Sequence, residues 1–239
     1  MGRRVPRRRP GRIRAGGPPH AGADARGRDR DPAALAHGGR LPRSRLRGDV
    51  PQDLDVVRRN AGQWPAVVAL ARRGGNAPLT SSMGRLFDAV AAIAGVRDTI
   101  NYEGQAAVEF EQLADPAVDE AYPCGLVPAR TGFAVPGVEL VRAAADDLRA
   151  GVPRDVVAAR FHNAVAGIVA AGCAVIREAT GVSTVALSGG VFQNLLLLGR
   201  AVTLLEERDF RVLTHHRVPP NDGGVSLGQA AVAAARDAI

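Results

Sequence analysis

Between Ser183 and Asn194 the chain reads Ser-Thr-Val-Ala-Leu-Ser-Gly-Gly-Val-Phe-Gln-Asn. The apolar, partly β-branched run Val185 to Leu187 predicts a strand, and helical spacing resumes from Leu195 to Arg208, so Gly189 and Gly190 fall where strand becomes helix. Glycines at that place, lacking Cβ atoms, let an anion approach the backbone. The free N–H groups and positive end of the following helix would face it. A tight structural turn in any α/β domain has the same order, and the motif is neither GxGxxG nor GxxxxGK[ST].

The flanking segments extend the alternation. A long helix is predicted from Arg154 to Thr180, with Gly181 as its stop and Val157, Phe161, Val165, Ile168 and Cys173 at helical spacing. That spacing makes it a core helix, and His162 on it reads as a packed or surface imidazole. After the glycine pair and its helix, a second strand over Arg211 to Thr214 ends at His215-His216. Pro219-Pro-Asn-Asp-Gly-Gly224 then leads into a last helix, Val225 to Ala238. An α-β-α-β-α order of this kind places ligands outside the carboxyl ends of the strands, where the two glycine-containing loops would converge. Asp222 in the second loop is either a hard oxygen ligand or base, or the N-cap of the last helix.

Upstream, Asp53 to Arg73 is helical but interrupted by Pro65 and stopped at Gly74-Gly75-Asn76. Thr80-Ser81-Ser82 offers capping hydroxyls for a helix over Met83 to Ala94, whose apolar face is Leu86, Phe87, Val90 and Ile93, with Gly95 as its stop. Gly104 to Leu113 and Val138 to Arg149 are further helices, separated by an irregular connection over residues 115–136.

Charge divides the chain. Residues 1–50 hold 14 Arg against 4 Asp, with 9 Gly, 6 Pro and no aromatic residue; from residue 51 onward 17 Arg face 20 acidic residues. An arm of that composition cannot offset the entropy of ordering, so residues 1–52 are expected to be a disordered Arg/Gly/Pro-rich or aberrant arm. Without aromatics to stack bases, and with Asp24, Asp29 and Asp31 breaking the charge, nucleic-acid binding is not expected. All 31 basic residues are arginine, which fits a GC-rich coding sequence. No run of about 18 apolar residues is present, so no membrane span is expected, and no apolar core follows the Arg-rich start as in a secretory signal. The two cysteines, Cys124 and Cys173, lack metal-ligand spacing, which makes a reducing cytoplasm the expected location. No base neighbours Cys124 in sequence to make it a nucleophile.

Five segments read together carry a resemblance. They are Thr80-Ser-Ser-Met-Gly-Arg-Leu-Phe-Asp-Ala-Val-Ala-Ala92, Tyr102-Glu-Gly-Gln-Ala-Ala107, Ala159-Arg-Phe-His162, Ser188-Gly-Gly-Val-Phe-Gln-Asn194 and Pro219-Pro-Asn-Asp-Gly-Gly-Val-Ser-Leu-Gly-Gln229. Their wording and order resemble the C-terminal part of the HypF family, the carbamoyltransferases of NiFe-hydrogenase maturation, over residues 53–239. The resemblance implies an α/β fold: the second lobe of an actin-like ATPase domain of the YgjD/TsaD type, with a mostly helical insertion. It implies ATP and a divalent metal ion as cofactors, carbamoyl phosphate as substrate, and a HypE-type acceptor protein. That acceptor's C-terminal cysteine is carbamoylated on the way to the cyanide ligands of the hydrogenase. By the same resemblance Gly189, Gly190 and Asn194 fall at nucleotide contacts, Asp88 where a carboxylate meets the ribose hydroxyls, and Asp222 at the metal. Gly104 is a further nucleotide contact, although EGQ stands here where the tRNA-modifying relatives have paired glycines. No catalytic residue is assigned.

The acylphosphatase-like domain, zinc-finger motifs, YrdC-like domain and histidine cluster of such proteins have no match in this sequence. The chain is therefore expected to be a fragment, in which metal held by Asp222 alone is weak. The competing readings are an O-carbamoyltransferase or tRNA threonylcarbamoyl transferase with the same domain type, and a non-catalytic nucleotide-binding remnant.

Overall fold

The computed structural model describes residues 53–73, 80–129 and 132–237. The expected arm over residues 1–52, the stop at Gly74-Gly75-Asn76 and the final Ala238 lie outside the described residues.

The predicted N-terminal helix is two helices, α1 (Asp55–Arg59) and α2 (Trp64–Arg73). The break falls at residues 60–63, ahead of Pro65, because proline is tolerated in a first turn where its missing N–H has no intrahelical partner. Helix α3 (Met83–Ile93) starts at Ser82, whose hydroxyl accepts from the Arg85 N–H at 3.4 Å, and ends at Gly95 with φ +73°. Helix α4 (Gln105–Leu113) starts at Gly104 in the left-handed region, φ +83°, a conformation that requires glycine.

Residues 115–136, expected to be irregular, contain a short antiparallel pair, β1 (Val127–Pro128) against β2 (Phe133–Ala134). The rest of this segment is held by side chains. Arg200 donates to the carbonyls of Pro116 and Val118, and Asn163 donates to those of Val118 and Glu120. These bonds stand in for the ladder that an irregular chain lacks.

Helices α5 (Gly137–Arg149) and α6 (Arg154–Thr180) follow, and α6 ends where expected, at Gly181 with φ +73°. With 27 residues and a mean hydropathy of 1.4 over its most apolar stretch, α6 alone among the described helices is long and apolar enough to cross a membrane. Its middle is instead enclosed by protein: Val157, Phe161, His162 and Val165 are buried, and α4, α5 and α7 (Leu195–Glu206) pack around the helix. Phe87 of α3 and Phe110 of α4 meet Phe161 with ring centroids 4.9 and 5.8 Å away, the first pair edge-to-face at 85°.

The two expected strands form a parallel pair, β3 (Thr184–Ala186) and β4 (Arg211–Leu213), in the register Thr184 to Arg211, Val185 to Val212 and Ala186 to Leu213. Helix α7 is their crossover and packs on α6 and β4. The last helix, α8 (Val225–Asp237), has no buried residue. Because α6 is enclosed around Phe161, removing that ring opens a cavity that neighbours cannot fill. Phe161→Ala is expected to lower stability by about 3–5 kcal/mol, read as a shifted urea midpoint at unchanged slope.

Candidate functional site

Parallel pairing puts the carboxyl ends of β3 and β4 side by side, so residues 187–194 and 214–224 become neighbours. Leu187 N–H donates to Leu213 O at 3.0 Å and Gly189 N–H to Pro220 O at 2.7 Å. Ser188 Oγ lies 3.0 Å from His215 Nε2. The two glycine loops therefore converge as the alternation predicted. Helix α3, which carries Asp88, packs against the same turn. Asp88 is half-buried and pairs with Arg85 one turn earlier, at 3.5 Å.

The turn differs from the expected direct entry into a helix. A 3₁₀ turn, Gly190–Gln193, stands between the glycine pair and α7. The two glycines have different reasons to be there. Gly189 sits at φ +107°, where an L side chain is strained. Gly190 has no such φ, and a Cβ on it would meet only the Asn221 Cβ at 3.9 Å and Gln193 Oε1 at 4.0 Å. The Gly190 backbone thus tolerates a side chain, and the space before it is open. Among the described residues, neither the Gly190 nor the Val191 N–H donates to a protein acceptor.

The N-terminus of α7, expected to present free N–H groups to a phosphate, is closed. Glu111 Oε1 accepts from Leu195 N–H at 2.6 Å and Leu196 N–H at 3.1 Å, and Asn194 Oδ1 accepts from Leu197 N–H at 2.8 Å. A carboxylate is what the positive end of a helix prefers, so Glu111 takes the place an anion would fill. The donors left without a protein acceptor among the described residues are those of the turn, the Gly190 and Val191 N–H groups.

Asn194 is buried and both ends of its amide are used inside the protein: its Nδ2 donates to His162 Nε2 at 2.8 Å. His162 is fully buried, and its Nδ1 lies 2.7 Å from Ala158 O. Burial, aided by the Arg200 charge, pushes the imidazole down to about 4. Sequence spacing left His162 as a packed or surface imidazole and could not show which partner it serves.

In the second loop the cap of the 3₁₀ turn Asp222–Gly224 is Asn221, whose Oδ1 accepts from Gly223 N–H at 3.0 Å. Asp222 is therefore not the cap, and its carboxylate is exposed. Gly224 is required by close approach: a Cβ there would lie 2.9 Å from Pro219 O. Gly104 stands at the start of α4, roughly 10 Å along the helix from Glu111, given the rise per residue. Among the described residues no cluster of three or more His, Cys, Asp or Glu is arranged to hold a metal. Asp222 is a single carboxylate, and a hard cation needs about six oxygen ligands. Desolvation pushes the Cys124 thiol up to about 11, with Glu139 adding to it, so it is no ready nucleophile.

The model of the family described as "Carbamoyltransferase, Kae1-like Domain, second subdomain" matches residues 29–229. The chain belongs to the HypF carbamoyltransferase family. It is 37% identical over 156 residues to the carbamoyltransferase HypF of Synechocystis sp., covering 65% of this chain and 20% of that protein. It is 42% identical over 169 residues to the HypF of Rhodobacter capsulatus, covering 70% and 21%. Among solved structures it is similar to full-length HypF in a phosphate- and nucleotide-bound form, with a TM-score of 0.69 and 35% identity over 76% of this chain and 25% of that one. The HypF of T. kodakarensis, at 24% identity and a TM-score of 0.58, shares the fold. The chain thus corresponds to the C-terminal part of HypF, an α/β fold of the Kae1-like type, and spans about a fifth of the length of these curated relatives.

The neutral, buried His162 couples stability to acid. The unfolded imidazole takes a proton near 6.5 and the folded one only near 4, so stability is whole above pH 6.5 and declines as pH falls toward 4. The full loss is roughly 3 kcal/mol. Asp98, held below its ordinary 3.8 by its bonds to Arg59, contributes only at lower pH. Urea unfolding at pH 7 and 4.5 is expected to show the loss in the native sequence and its absence in His162→Gln.

Proposed function

We propose that this chain supplies the nucleotide-binding second subdomain of a HypF-type carbamoyltransferase. In this reading the whole protein uses ATP and carbamoyl phosphate to carbamoylate the C-terminal cysteine of a HypE-type acceptor in the cytoplasm, for the cyanide ligands of NiFe-hydrogenase. The observation that carries the nucleotide role is the open space at Gly190. Among the described residues the Gly190 and Val191 N–H groups have no protein acceptor, and a Cβ on Gly190 would meet nothing closer than 3.9 Å. A phosphate fits that position and would gain short N–H bonds there. The similarity to a phosphate- and nucleotide-bound HypF supports the same assignment.

Gly189 shapes the turn and Gly190 leaves room for the phosphate. Asp88, on the helix that abuts the turn, is the proposed acceptor of ribose hydroxyls, and Gly104 a further nucleotide contact. Asn194 serves the site from behind, since its amide faces inward. Asp222 is one proposed ligand of a divalent cation whose remaining ligands come from outside the described residues. The residues described here do not by themselves make that metal site, and the roles of this chain are to bind and orient the nucleotide.

Gly190→Val is expected to leave the fold intact, because its φ and surroundings admit a side chain, while weakening ATP binding at least tenfold, or about 1.4 kcal/mol. Calorimetric titration on the folded variant measures this, and native affinity would remove the phosphate from Gly190. Asp222→Asn leaves the Asn221 cap untouched, so its melting temperature is expected to stay within a degree or two. Mn²⁺ binding in the presence of ATP is expected to weaken severalfold, because a hard cation loses an anionic ligand.

A further inference from the structure

The polar chain beneath the glycine turn has a direction that two backbone groups impose. The Leu197 N–H can only donate, so the Asn194 atom facing it at 2.8 Å is the carbonyl oxygen. The other end of the amide, Nδ2, then points at His162 Nε2 at 2.8 Å, which must be unprotonated to accept. The proton sits on Nδ1, where Ala158 O accepts it at 2.7 Å. One neutral tautomer therefore satisfies every member, from a carbonyl in the second turn of α6 to the first turn of α7. Asn194 also follows Gln193 directly and donates its own N–H to Val191 O at 3.2 Å, so it closes the 3₁₀ turn.

From this arrangement we infer that His162 is a positioning residue of the nucleotide site, acting through Asn194 to hold the 190–193 turn that carries the Gly190 and Val191 N–H groups. The inference rests on the nucleotide reading above for its consequence, and on the geometry alone for its mechanism. Without the imidazole acceptor, Asn194 Nδ2 is a buried donor with no partner. The amide then rotates to find one, and both the Leu197 cap and the turn that precedes it are released. The rings of Phe87, Phe110 and Phe161 pack around His162, with the Phe87 and Phe110 centroids 5.1 and 5.4 Å away. They offer no replacement acceptor. Arg200 is the charged group that bears on the imidazole. Glu111, on α4, holds the adjacent Leu195 and Leu196 N–H groups and leaves Leu197 to Asn194.

Three variants separate positioning from packing. His162→Phe keeps the ring volume and removes the acceptor. His162→Gln places a side-chain oxygen near the position of Nε2 and cannot titrate. Asn194→Ser retains a capping oxygen for Leu197 but is too short to reach His162. In the full chain, His162→Phe and Asn194→Ser are expected to raise the Kd for ATP about tenfold. Both are also expected to speed amide exchange over residues 190–197 by about tenfold relative to the amides of α3 and α6. His162→Gln is expected to stay close to the native protein in both measurements.

A general loss of stability would speed exchange in α3 and α6 to the same degree, and that result overturns the inference. Native Kd and native exchange in a folded His162→Phe overturn it as well, as does a His162→Gln variant as impaired as His162→Phe. If the native chain itself fails to bind ATP, the nucleotide reading falls, and selective exchange over 190–197 decides the positioning role by itself.

Discussion

Helix α6 is enclosed through its middle turns, and that single condition sets much of what surrounds it. A helix buried on several faces has no solvent to receive the polar side chains it carries, so each must find a partner inside. His162 and Asn163 are adjacent and lie on different sides of α6. The first reaches Asn194 and through it the start of α7. The second, together with Arg200 of α7, gathers the carbonyls of residues 116–120. One pair of consecutive polar residues thereby ties the crossover helix of the sheet and the irregular segment to the same core.

The candidate site inherits its shape from this core rather than from its own loops. Parallel register between β3 and β4 brings the two loops together, and the bond from Gly189 N–H to Pro220 O joins them. The apparent redundancy of the glycines then resolves into separate tasks. Gly189 is needed for its positive φ and Gly224 for its contact with the Pro219 carbonyl, whereas Gly190 is needed for neither. A glycine that the fold does not require, beside two N–H groups that are unengaged among the described residues, is what a ligand's approach would explain. Glu111 sharpens the assignment by covering the α7 N-terminus, so that the turn and not the helix offers donors.

Family membership and geometry bear on different claims. The match to the second subdomain of the Kae1-like carbamoyltransferase domain identifies the lineage and the fold. The geometry separates individual residues, and at Asn194 it commits both ends of the amide to partners inside the protein, His162 and the Leu197 N–H. The chain spans about a fifth of the length of these curated relatives.

Much of the local structure was legible in the sequence. The bounds of α6, its stop at Gly181, the start of α7 at Leu195 and the strand order all follow from periodicity and from glycine's access to positive φ, which are properties of neighbouring residues. Pairing across the chain was not legible. Periodicity reports which face a residue occupies and not what lies opposite, so Glu111 could not be read as the cap of a helix 84 residues away, nor His162 as the acceptor for an amide 32 residues away. The same limit hid the β1–β2 pair, too short to show alternation, and left Asp222 open between a ligand or base and a helix cap, because a carboxylate suits each chemically. The sequence determined the elements and their order, since those are decided within a few residues. The tertiary structure decided which backbone donors remain free, because that depends on which distant side chains reach them first.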